Sequence, residues 1–92
     1  MSHIAFVGHA VWDHIFKVPR LHAEPGKWVA DSYACRPGGM CANAALAAQA
    51  VRAPFSPRVK LAAPMGDDDT GRSLAAALLS AGVEVQPACV IA

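Results

Sequence analysis

The chain has 92 residues, 54% of them hydrophobic and 16% charged, which suffices for one packed core and leaves little solvating surface. Eight basic against seven acidic residues give a formal charge of +1 with no Lys/Arg cluster, and that balance excludes nucleic acid as a partner. Asp13, Lys17, Arg36, Arg52 and Lys60 break every apolar run short of the roughly 18 to 20 residues of a membrane span, and "MSHIAFVGHAVWDH" lacks the basic n-region of a secretory leader, so a cytoplasmic protein with no membrane partner is expected.

"HIAFVG" (residues 3–8) is a short β-branched and aromatic run closed by glycine, which predicts a buried first strand. "VWDHIFKV" (residues 11–18) predicts a second, stopped by Pro19. Pro25 and Gly26 supply a corner, and "WVADSYAC" (residues 28–35) alternates as a third strand able to pair with the second as a hairpin.

After Gly38 and Gly39 the period changes. The segment to Arg52 is mostly alanine, the strongest helix former, and predicts a helix buried on most sides. "APFSP" (residues 53–57) is loop, and a strand runs from about Val59 to Ala63 before Pro64. "DDDTGRSLAAALLSAGV" predicts a second helix, with Asp69 or Thr70 as N-cap, Leu74, Ala77, Leu78 and Ala81 on its apolar stripe, and Gly82 as its stop. A further strand opens in "VEVQPACVI". The order predicts an α/β fold: helices crossing between strands of a mainly parallel sheet, with an early hairpin apart from it. Such sheets normally have both faces covered and more strands, so the chain is expected to be the N-terminal piece of a larger protein.

Several site chemistries are disfavoured. Three cysteines, Cys35, Cys41 and Cys89, without C-x-x-C spacing, fit buried free thiols better than a disulfide framework or a structural zinc site. His9 and His14 point to opposite strand faces, and His3 and His9 lie about 20 Å apart at roughly 3.3 Å per residue, so neither pair chelates a metal locally and none is expected. "GDDDTG" fits helix capping better than a cation site. "PGGMCAN" lacks the third glycine of a dinucleotide fingerprint.

Asn43 is the residue that propensity leaves unexplained, because its side chain competes for backbone groups inside a run that alanine would suit better. It is either a satisfied polar group in the core or a ligand contact beside the glycine turn. Asp13 bears on the choice, since a carboxylate can accept from two adjacent hydroxyls at once while a carboxamide both donates and accepts. Gly38 and Gly39 would let backbone approach a ligand closely, with amides directed outward at the helix start.

The segments "IAFVGHAVWDHIF", "EPGKWVADSY", "PGGMCANAALAA", "GDDDTGRSL" and "LLSAGVEV" resemble, in order and at nearly the same spacing, the N-terminal third of a ribokinase-like sugar kinase of the PfkB family. The resemblance implies a ribokinase-like α/β fold, the N-terminal part of a Rossmann-like sheet with flanking helices and a small β lid formed by strands at about 11–18 and 28–35. It also implies a small sugar as substrate, held by Asp13, Gly38, Gly39 and Asn43, and a homodimer through the lid strands when full length. ATP and Mg2+ would serve the full-length protein at a C-terminal G-A-G-D segment that nothing in residues 1–92 matches, so the 92-residue chain is expected to contain no catalytic or cofactor residues and to be inactive by itself. Val11 and Met40 stand where many ribokinases have asparagine and lysine, which favours a ketohexose or substituted ketohexose over ribose. The combination "VWDHIF...EPGKWVA" is closer to fructose-type and sulfofructose-type members, in which a lysine matching Lys27 faces an anionic group on the sugar; otherwise Lys27 is a solvated turn residue. Cys41, Arg52 and the apparent insertion "APFSPR" depart from the family signature. The alternative reading is a kinase-like binding or dimerisation module without activity.

Overall fold

A computed structural model describes residues 2–86 and 90–91. Three strands, β1 (His3–Val7), β4 (Arg58–Ala62) and β6 (Glu84–Val85), form a parallel sheet in the order β1-β4-β6. β1 pairs with β4 from His3 opposite Arg58 to Val7 opposite Ala62. Set apart from it, β2 (Val11–Lys17) and β3 (Ser32–Gly38) make an antiparallel two-stranded hairpin, followed by α1 (Met40–Val51). A short β5 (Met65–Gly66) precedes α2 (Asp69–Ser80) and pairs in parallel with β7 (Val90–Ile91). The α/β class with a parallel sheet and flanking helices is therefore as the sequence predicts.

The core forms where the pleat of β4 meets both helices. Val59 and Leu61, two residues apart and so on one face, are buried in one cluster with Ala42 and Ala45 of α1 and Leu74 and Leu78 of α2. Alanine at the α1 positions allows the helix to lie close on the sheet. Burial there also acts on Cys41, whose thiol is pushed above its ordinary pKa by desolvation. α2 ends in a Schellman cap: Gly82 at φ 94° donates to the Leu79 carbonyl at 3.0 Å, and Val83 donates to Leu78 at 3.0 Å. That is the stop predicted at Gly82.

Elsewhere the structure corrects the sequence reading. The third strand is Ser32–Gly38, not residues 28–35, because Trp28 leaves the ladder to stack on His22 and the Asp31 amide closes the hairpin end on the Lys17 carbonyl at 2.7 Å. Pro37 then falls inside β3, which an edge strand tolerates. The α2 N-cap is Asp68, whose carboxylate accepts from the Gly71 amide at 2.8 Å; Asp69 is already helical and accepts from Arg72 at 2.8 Å. Ala81 is exposed and Ala77 half-buried, so the buried residues of the helix are Gly71, Leu74 and Leu78.

α1 is buried along one side only, with Met40, Asn43, Ala44, Ala47, Ala50 and Val51 exposed. β1 is likewise not buried: Val7 is 80% exposed, because nothing among the described residues covers the second face of the sheet. The final strand divides into β6 and β7. Cys35 is half-buried and Cys41 buried, both as free thiols, while Cys89 lies outside the described residues.

Candidate functional site

The hairpin and α1 meet at Gly38 and Gly39, and four of the five residues singled out from the sequence lie there. Register sets Val11 opposite Gly38 and Asp13 opposite Arg36, which aims the exposed Asp13 side chain along the end of β3. Its carboxylate lies directly over Gly38. A Cβ at that position would stand 2.0 Å from Asp13 Oδ2 and 2.5 Å from Cγ, so the absence of a side chain at residue 38 is what gives Asp13 its place.

Gly39 adopts φ 89°, a conformation suited to glycine, and is the N-cap of α1. It carries no side chain to cap the helix, and the first turn holds no acidic residue. The leading amides of α1 therefore face the same turn without a side-chain acceptor. α2 differs, being closed by Asp68 and followed by Asp69. Asn43 ties in through its backbone, its amide donating to the Gly39 carbonyl at 2.9 Å. Its side chain is exposed and makes no hydrogen bond among the described residues, which excludes the satisfied core group that the sequence left open.

Sequence reasoning missed His9. Its imidazole and carbonyl press on Gly39, since a Cβ there would meet His9 Cδ2 and the His9 oxygen, each at 3.2 Å. The one signal in the sequence was a histidine between the first strand and the hairpin. Lys27 stands apart from this group. It is exposed within the loop 18–31, which joins the far end of the hairpin, and Lys17 at that end is about 13 Å along β2 from Asp13. The same loop is ordered on itself by the His22 and Trp28 rings, stacked at 3.5 Å between centroids and 2° between planes.

A second concavity lies elsewhere. A cleft of about 500 Å³ opens at the other end of the sheet, where β1 and β4 begin and α1 ends, between Gln49, Arg52, Phe55, Arg58 and Glu84. Its cations are engaged: Arg52 donates to the carbonyls of Ser56 at 2.9 Å and Pro57 at 3.3 Å, fixing the turn 53–57, and Arg58 pairs with Glu84 at 3.3 Å. Among the described residues, the Asp13 cluster, with a free carboxylate, open amides and an unpaired carboxamide, is the better equipped to hold a polar ligand.

A family model described as pfkB family carbohydrate kinase matches residues 1–91. Among solved structures, a provisionally assigned ribokinase from Agrobacterium tumefaciens is 27% identical, with a TM-score of 0.78 over 97% of this chain and 27% of its own. A carbohydrate kinase from the same organism is 28% identical, with a TM-score of 0.77 over 100% of this chain and 28% of its own. A ribokinase from Cryptococcus neoformans var. grubii serotype A, solved in complex with ADP, is 26% identical, with a TM-score of 0.67 over 100% of this chain and 27% of its own. The chain thus spans little more than a quarter of the length of the structures it matches.

Proposed function

The chain belongs to the pfkB family of carbohydrate kinases, and on that premise we propose that the full protein transfers phosphate from ATP to a hydroxyl of a small sugar. Residues 1–92 are the N-terminal part of its kinase domain and hold the sugar. The observation that carries this reading is the Asp13 carboxylate standing over Gly38 beside the uncapped start of α1. Two carboxylate oxygens accept from neighbouring sugar hydroxyls, Asn43 adds a group that both donates and accepts, and the two glycines admit the ligand to the backbone.

Val11 and Met40 leave the ribose-type contacts incomplete, which favours a ketohexose or a substituted ketohexose. A loop closing over the sugar would bring Lys27 toward an anionic substituent, with β2 and β3 serving as lid. Phe16 and Tyr33 leave apolar surface on the face of that hairpin opposite Asp13, 63% and 54% exposed, and a second copy of the lid is the partner that would cover it. The full protein acts in the cytoplasm. ATP and Mg2+ complete the reaction there, the nucleotide supplying the phosphoryl group and the cation neutralising charge on it; no residue of this chain is assigned to either.

The test is ATP-dependent phosphorylation by the full protein across a panel of ribose, fructose and anionic ketohexoses. Asp13→Asn keeps the side-chain shape but removes the charge and turns one acceptor into a donor. A tenfold to hundredfold loss in kcat/KM is expected, about 1.5 to 3 kcal/mol for a charged hydrogen bond. Full activity in that variant, or no phosphorylation of any sugar by the unaltered protein, refutes the proposal.

A further inference from the structure

The hairpin register sets Asp13 directly opposite Arg36, on the same face of the ladder as Gly38. Side chains so opposed start about 5 Å apart at Cβ, close enough for an acid and an arginine to pair. Here the two form no ion pair. The Asp13 carboxylate leans along the diagonal to lie over Gly38. Arg36 is exposed and takes part in none of the ion pairs or side-chain hydrogen bonds among the described residues. One face of two strands thus presents an anion and a cation side by side, each without its natural partner.

We propose that Arg36 is a specificity-determining residue of the sugar cluster: its guanidinium takes a carboxylate, phosphate or sulfonate carried by the same sugar whose hydroxyls Asp13 accepts. The inference rests on the sugar-binding reading above and adds to it the residue that selects an anionic substrate. A guanidinium has five donors, no acceptor and a permanent charge, and its planar fork matches two oxygens of an oxyanion. A neutral hydroxyl fills one of those donors and leaves the charge uncompensated, so the contact discriminates between charged and neutral sugars.

The surroundings leave Arg36 available. Along β3 its neighbours on the same face are Ala34 and Gly38, neither of which blocks the long side chain from swinging toward a ligand at Asp13. α2 packs on the hairpin, but the acids at its start are engaged: Asp68 accepts from the Gly71 amide at 2.8 Å, and Asp67 and Asp69 pair with Arg72 at 3.5 and 2.8 Å. Lys27 lies beyond the far end of the hairpin, whereas Arg36 is in place with the loop 18–31 as it stands.

The experiment measures binding by calorimetry and phosphorylation by the full protein for fructose, fructose 6-phosphate, 2-ketogluconate and 6-deoxy-6-sulfofructose. Arg36→Gln should lower the preference for the best anionic sugar over fructose by tenfold to a hundredfold, with fructose itself changed by less than about twofold. Arg36→Lys, which keeps the charge and loses the fork, should fall between the two, and circular dichroism checks the fold of each variant. A merely structural role would weaken both sugars alike and leave their ratio unmoved. Equal losses on charged and neutral sugars, no loss on either, or a preference abolished by Lys27→Ala and kept in Arg36→Gln each overturns the inference. Phosphorylation of neutral sugars alone overturns it while the kinase reading stands; an anion preference in binding that depends on Arg36, without turnover of any sugar, upholds it while that reading falls. Failure of every sugar to bind overturns both.

Discussion

Replacing Gly38 with alanine plants a methyl group where the Asp13 carboxylate lies. The new Cβ would stand 2.0 Å from Oδ2, 2.5 Å from Cγ and 2.8 Å from Oδ1, all closer than a real Cβ contact permits. Gly38 has no positive φ, so the backbone accepts alanine and the strain falls on the Asp13 side chain. That side chain is exposed and yields by rotating away, which moves the carboxylate by an ångström or more. The expected result is a protein that folds and has lost the position of its acceptor. A displaced charged contact costs about 1.5 to 3 kcal/mol, tenfold to a hundredfold in kcat/KM of the full protein, with a melting temperature close to the original.

The same geometry makes the effect non-additive. In an Asp13→Ala background the methyl group meets no carboxylate, so Gly38→Ala should cost little further, and the pair should show a coupling of nearly the whole single-variant effect. Steady-state kinetics on the four proteins measure it. If Gly38→Ala alone retains activity within about twofold, or if its loss simply adds to that of Asp13→Ala, the carboxylate over Gly38 does not hold the sugar.

Asn43→Ala should lower kcat/KM by about 0.5 to 1.5 kcal/mol, a neutral hydrogen bond, while leaving the melting temperature unchanged or raised, because an exposed helical position favours alanine; unfolding with sugar affinity intact would assign Asn43 to structure. Lys27→Ala should raise KM for a ketohexose bearing phosphate or sulfonate far more than for the neutral sugar, since only the anion loses a charge-assisted contact, and equal effects on both place Lys27 in solvent. The purified 92-residue chain should phosphorylate no sugar and should self-associate through its exposed apolar surface, including Val7 and Phe55 at 80% and 92% exposure; turnover, or a monomer that melts cooperatively at micromolar concentration, contradicts this.

The difference between what the sequence reveals and what it hides follows the range of each interaction. Local signals were readable: β-branched runs placed β1, β2 and β4, alanine placed α1, and Gly82 marked a helix end whose positive φ no other residue adopts as readily. What failed depended on partners distant along the chain. Trp28 alternates with its neighbours as a strand residue should, yet its ring stacks on His22 and the residue stays outside the two-stranded ladder. That one choice moves β3 along the sequence to Ser32–Gly38 and decides which residues face one another. β5 is two residues long and exists through its pairing with β7, so it has no periodicity to detect.

The candidate site divides in the same way. Asp13, Gly38, Gly39 and Asn43 were legible because each residue type is a poor local choice: a carboxylate in an apolar strand, two glycines where a helix begins, an asparagine in an alanine run. The structure places Asp13 over Gly38 and joins Asn43 to Gly39 through one backbone hydrogen bond. His9 breaks no such rule at the end of a strand, and its contact with Gly39 follows only from the turn in three dimensions. Arg36 lies further from view still, because setting it across from Asp13 requires the hairpin register, and that register belongs to a strand that begins only at Ser32, past the stacked ring of Trp28.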